Sequence, residues 1–203
     1  MTNLTDFDRL LETRRLVLAS GSPRRVKILK EAGYKFRQII PALDESSCNH
    51  KDPFRLARLL AEMKANAIAD LLDKDEVALA GDTIVLLDGE ILGKPGSPNE
   101  ALAMLSRLSG NEHTVCTAIA LQDYAGIIQS DYELTMVKFN RVDEESLKAY
   151  IATGEPLDKA GAYGIQGLGG FLVDSIDGNL DNVIGLPMTL LERLSGRLLK
   201  EKD

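Results

Sequence analysis

The chain has no tryptophan, only two cysteines and only two histidines among its 203 residues. Cys48 and Cys116 stand far apart and outside any CxxC, which leaves no disulfide framework and no cysteine-based zinc site, and a reducing cytoplasm is the expected home. His50 and His113 are isolated, and lone histidines are more often surface or core residues than ligands, so neither enters the candidate site. No stretch approaches the ~20 apolar residues that a membrane-spanning helix needs. Met1 to Arg15 carries Asp6, Asp8 and Glu12 without an apolar core, unlike a secretory signal. Positive charge is also short, with Lys plus Arg at 24 against 31 for Asp plus Glu and a net charge of −7. That balance argues against general adhesion to nucleic acid or to an anionic membrane, while a small anion held by local positive charge stays open. There is no GxxxxGK[ST] run, no strand–GxGxxG–helix unit, no repeat and no low-complexity segment. A chain of this length forms one compact domain or two small lobes and buries roughly 70% of its unfolded surface.

What is present begins with a short apolar strand, Leu16 to Ala19, running straight into Ser20-Gly21-Ser22-Pro23-Arg24-Arg25 and then a helix. Ser22 is placed to cap that helix and Pro23 fits its first turn, so two guanidinium groups sit at a positive dipole end that favours phosphate. The alternative is an ordinary capped helix with two solvated arginines.

Further along, Gly33 stops the first helix and a strand follows around Tyr34 to Ile40, then a polar loop holding Asp44 and Glu45. Asp52-Pro53 opens a helix whose apolar stripe reads as Leu56, Leu60, Met63, Ala67 and Leu71. Lys64 falls at the edge of that stripe, where a snorkelling lysine is the plainer interpretation. Val77 to Leu87 is an apolar run broken by Gly81-Asp82-Thr83, and a carboxylate there is costly unless it is paired, binds metal or opens into a cleft. Asp88-Gly89 reads as a hairpin turn, with Lys94 beyond its second arm. Ser97-Pro98-Asn99-Glu100 is a capping box launching a helix to about Leu108. Two strands, Thr114 to Gln122 and Ile127 to Arg141, flank a turn at 123–126, and Asp143 is placed to cap a short helix ending near Gly154. The segment from Asp158 to Gly170 mixes glycine with an acid, a base, a phenol and an amide, which suits a binding loop at least as well as a flexible surface loop. The arginine pair, the acids Asp44, Glu45 and Asp82, and the lysines Lys64 and Lys94 together suggest metal-assisted phosphoryl chemistry.

At these residues the chain resembles the Maf-type nucleoside triphosphate pyrophosphatases. The matching segments are Leu18 to Arg25, Glu45, Lys64-Ala65, Gly81-Asp82-Thr83, Gly93-Lys94-Pro95, Asp158 to Gly167, and Asn182 to Pro187. The resemblance implies an α/β fold, Maf/ITPase-like, with an extended mixed sheet and helices forming two lobes around a central cleft. It also implies a single domain over residues 1–203, with a short N-terminal extension of about residues 1–15, and a homodimer. The implied reaction is hydrolysis of a nucleoside triphosphate between its α and β phosphates, by water, with a divalent metal such as Mg or Mn. Carried over by position, Asp82 is the general base and holds the metal with Glu45. Ser20, Ser22, Arg25, Lys64 and Lys94 bind the triphosphate. Arg24, Thr83 and Gln166 match the subgroup acting on dTTP and UTP, and the Gln166 amide offers both a donor and an acceptor to a base edge. The competing class is a nucleotide-binding regulator of cell division acting through a protein partner, against which the intact Asp82, Glu45, Lys64 and Lys94 count.

Overall fold

A computed structural model describes residues 4–201. Among the described residues, helices α1 (Asp6–Thr13), α2 (Pro23–Glu31), α3 (Pro53–Asn66), α4 (Pro98–Leu108), α5 (Glu144–Ala152), α6 (Leu180–Ile184) and α7 (Met188–Lys200) are interspersed with seven strands. The strands are β1 (Arg15–Ala19), β2 (Phe36–Ile39), β3 (Glu76–Leu87), β4 (Glu90–Leu92), β5 (Glu112–Asp123), β6 (Ile128–Phe139) and β7 (Val173–Asp177).

Local chemistry starts and stops most of these elements. The side chains of Ser22, Asp52, Ser97 and Asp143 each accept a first-turn backbone N–H. In the box at Ser97, Glu100 reaches back to the N–H of Gly96 at 2.7 Å rather than to that of the cap residue. Asp88 and Gly89 both take positive φ, 53° and 81°, as a two-residue hairpin turn between β3 and β4 requires.

The strands form one mixed sheet in the order β2-β1-β3-β5-β6-β7, with β4 paired to β3. β1 runs parallel to both β2 and β3, whereas β4 on β3 and β7 on β6 are antiparallel. The observed class is therefore α/β with a mixed sheet, as expected.

The chain divides into two compact units, and β3, β5 and β6 each contribute residues to both. The first unit takes the N-terminal part as far as Asp82, Thr117–Glu133 and the segment from Gly185 onward. Its core packs Phe7, Leu16, Leu18, Leu29, Leu79 and Ile119 against Leu190 and Leu194 of α7. The second unit takes Thr83–Cys116 and Leu134–Ile184, with a core that includes Val85, Leu105, Val137, Phe139, Leu147 and Tyr163.

One expectation changes, and one element is new. The new element is α1, in the segment before residue 15, opened by a reciprocal capping box between Thr5 and Asp8 and burying Phe7 and Leu10. In α3 the buried residues are Ala57, Leu60, Ala61 and Ala65, while Ala67 and Leu71 are exposed. The helix ends at Asn66, and its alanines turn inward because small side chains let it lie close to its neighbours.

Candidate active site

The first unit gathers an anion-binding set at the end of β1. Arg25 in the first turn of α2 is 9% exposed, and its Nη1 donates to Ser20 Oγ at 3.0 Å while Nε donates to the Gly185 carbonyl at 2.8 Å. Ser22 donates its backbone N–H to the same Ser20 Oγ at 3.2 Å, and Gln38 Nε2 donates to the Ser20 carbonyl at 2.7 Å. Ser20 is thus held from both ends of the residue. Burial pulls the Arg25 pKa down and the charge of Asp82 acts in the opposite sense, as does that of Glu45. A guanidinium stays protonated regardless, so a buried positive charge is built into this corner. Arg24, its neighbour, is half-buried in the same turn.

β3 delivers the carboxylate beside that corner. A Cβ added at Gly81 would come within 3.2 Å of Arg25 Nε and 3.1 Å of the Ala118 carbonyl, a tight fit that would push Arg25 or the facing strand by a few tenths of an ångström, so glycine lets Arg25 lie close against the strand just before Asp82. Asp82 Oδ1 accepts from Lys64 Nζ at 2.7 Å, and the same ammonium stands 3.1 Å from Glu45 Oε1. The Lys64 and Asp82 side chains are 15% and 13% exposed and Glu45 is 50% exposed. Glu45 opens a short 3₁₀ turn, Glu45–Ser47, capped by Asp44, whose Oδ1 accepts from the Ser46 N–H at 3.0 Å and from its hydroxyl at 2.6 Å. These Ser46 hydrogen bonds hold the Asp44 pKa below the usual carboxylate range. Asp44, grouped with the acids on sequence, serves as a cap that presents Glu45. Two hard oxygen donors converging on one cation would suit a magnesium-type ion, whose shell is completed by substrate oxygens and water. Among the described residues, no cluster of three His, Cys, Asp or Glu side chains forms a fuller protein-only metal cage.

Thr83, Lys94 and Gln166 belong to the second unit. Thr83 follows Asp82 on β3 and is half-buried, while Lys94 is exposed beyond β4. The residue before it, Gly93, accepts the Gly161 N–H at 3.0 Å, tying the lysine's strand arm to the glycine-rich segment. Within that segment three of the four polar side chains are engaged internally. Lys159 donates to Asp158 at 2.6 Å and to the Glu155 carbonyl at 2.7 Å. Tyr163 Oη and His113 Nε2 share a hydrogen bond at 2.8 Å, in a cluster with Phe139. Burial raises the Tyr163 pKa and pulls that of His113 down to about 4. Gln166 is exposed, as is Asp158, which Lys159 holds.

Of the sequence-derived candidates, Ser20, Ser22, Arg24, Arg25, Glu45, Lys64 and Asp82 fall in one unit, with Lys64 directed at the acids. Sequence reasoning missed Gln38, which fixes Ser20, and Glu155, which organises the glycine-rich segment. Neither carries a local signal, because each acts through a backbone group distant in the chain.

The sequence profile of the Maf-like protein family matches residues 15–198. Proteins named dTTP/UTP pyrophosphatase are similar to this chain. That of Thermococcus kodakarensis is 44% identical across 88% of this chain and 94% of its own. That of Desulfitobacterium hafniense is 46% identical across 90% and 85%, and that of Pelotomaculum thermopropionicum 41% across 88% and 93%. Among solved structures, the Staphylococcus aureus Ham1 protein aligns with a TM-score of 0.51 over 94% of this chain and all of its own, at 16% identity, a likeness of fold alone.

Proposed function

We propose that this chain, which belongs to the Maf-like protein family, hydrolyses dTTP and UTP, and modified pyrimidine nucleotides of the same kind, to the monophosphate and pyrophosphate. The observation that carries the reading is one corner of the first unit, where buried Arg25 with Ser20 and Ser22 lies beside the Asp82–Lys64–Glu45 cluster. The first set suits phosphate oxygens and the second supplies a proton acceptor.

In this reading Ser20, Ser22 and Arg25 take the triphosphate, and Lys94 adds sequence-blind positive charge. Asp82 accepts a proton from the attacking water as the water oxygen bonds to the α phosphorus. The bond from that phosphorus to the bridging oxygen breaks, and pyrophosphate leaves with the electron pair. Lys64 orients the Asp82 carboxylate and stands ready for developing phosphate charge. Glu45 and Asp82 would hold a divalent cation, Mg or Mn, which when bound neutralises phosphate charge and acidifies water. Arg24, Thr83 and Gln166 select the base, the amide of Gln166 through one donor and one acceptor. A cytoplasmic homodimer belongs to the same proposal. Cys48 and Cys116 form no disulfide, in keeping with a reducing compartment, and among the described residues no helix is long and apolar enough to cross a membrane.

The test is a panel of natural and modified triphosphates incubated with the purified protein and Mg or Mn, with and without chelator, resolving pyrophosphate from orthophosphate. Expected is chelator-sensitive release of pyrophosphate, fastest from dTTP and UTP. Orthophosphate as the product, or a purine preference, overturns the reading.

A further inference from the structure

Gln166 stands on a segment that the second unit grips from beneath. Tyr150 on α5 and Glu155 just beyond it supply the grip. Tyr150 Oη accepts the Gly164 N–H at 3.2 Å and donates to Glu155 Oε1 at 2.9 Å. The Glu155 carboxylate in turn accepts the Leu168 N–H at 3.0 Å on Oε2 and the Gly169 N–H at 3.2 Å on Oε1. One phenol and one carboxylate therefore satisfy the backbone at both ends of Gly164–Gly169, leaving Ile165, Gln166 and Gly167 as the span between.

The glycines make that approach possible. A Cβ at Gly169 would lie 2.5 Å from Tyr150 Oη and 2.6 Å from the Gly164 carbonyl, and one at Gly167, whose φ is +107°, would lie 2.9 Å from Glu155 Oε2. Tyr150 is 4% exposed and its ring packs edge-on to Phe171, with centroids 5.9 Å apart, so the phenol itself is anchored. Lys159 anchors the other partner by donating to the Glu155 carbonyl at 2.7 Å.

We propose that Tyr150 and Glu155 are positioning residues, a clasp on the two ends of Gly164–Gly169 that sets where the Gln166 amide stands and thereby sets base selectivity. The inference rests on the proposed role of Gln166 in reading the base. A side chain reads a base edge only if its backbone holds station, since a displacement of about 1 Å is enough to cost a large factor in rate or selectivity. Neither clasp residue touches substrate in this account.

The experiment measures kcat and KM for dTTP and for dATP in the wild type, Glu155→Ala, Glu155→Gln, Gln166→Ala and the Glu155→Ala/Gln166→Ala double variant. Amide hydrogen exchange across residues 164–169 is followed in parallel. Expected for Glu155→Ala is a rise of about tenfold in KM for dTTP, kcat within about twofold, and a matching loss of preference over dATP. The double variant should be no worse than the more impaired single variant, because both changes act through one amide. Glu155→Gln, which keeps an oxygen acceptor, should recover most of the loss. Exchange at Gly164, Leu168 and Gly169 should quicken in Glu155→Ala. Should that variant fail to fold, Tyr150→Phe carries the same comparison, because it keeps the buried ring and removes only the hydroxyl. Additive penalties, a loss confined to kcat, or unchanged exchange overturns the clasp while leaving the functional reading standing. A wild type that releases no pyrophosphate from dTTP overturns the functional reading and with it the assignment of the clasp to selectivity.

Discussion

Lys64 Nζ stands 2.7 Å from Asp82 Oδ1, so the carboxylate that interrupts an apolar strand is met by an ammonium from a helix 18 residues earlier in the chain. The same ammonium reaches Glu45 at 3.1 Å. A carboxylate in β3 is costly to bury alone, and this shared cation is what offsets the cost in the folded chain.

Replacing Lys64 by Met should therefore lower stability by about 1.5–3 kcal/mol, the worth of a hydrogen bond to a charged group, by leaving two carboxylates without their common partner. The penalty should shrink in an Asp82→Asn background. Denaturant unfolding of the two single variants and the double variant measures the coupling, and strictly additive losses would show that the pair contributes nothing.

Asp82→Asn should keep the fold and reduce turnover of dTTP by about 10²–10⁴-fold, because an amide cannot take the proton from water. Steady-state kcat with circular dichroism as the fold control checks it. Turnover near that of the wild type would remove Asp82 from the mechanism.

Lys94→Ala should raise KM for dTTP and UTP alike, since an exposed ammonium beyond β4 meets phosphate charge and is blind to the base. The ratio of kcat/KM between the two substrates should stay fixed. A changed ratio would assign Lys94 to base recognition instead.

His113 gives a pH signature. Burial holds its folded-state pKa at about 4 against 6.5 when exposed, so between those values the unfolded chain binds the extra proton and the folded chain does not. Its contribution is present above about pH 6.5 and is lost as pH falls toward 4, a difference of about 3 kcal/mol at 1.36 kcal/mol per pKa unit. Urea unfolding at stepped pH should show this slope in the wild type. A His113→Gln variant that retains the full slope would place its origin elsewhere.

Much of what is local in this protein was legible in its sequence, although the Thr5–Asp8 capping box and the Asp44 cap were not read there. Ser22, Asp52, Ser97 and Asp143 announce helix starts because a cap bonds a backbone N–H only two or three residues away. Asp88-Gly89 announces its turn because few residue pairs tolerate positive φ together. The anomaly of Asp82 was visible as a charge in an apolar run. What tertiary structure alone decided is who meets whom over long separations. β1 lies between β2 and β3, Arg25 donates to the carbonyl of Gly185, and Glu155 takes the amides of Leu168 and Gly169. The inward face of α3 was settled the same way, by alanines whose size says nothing until a neighbour is packed against them. Short-range hydrogen bonds are encoded in adjacent letters, whereas a pairing across the chain depends on every element between the partners taking its place first.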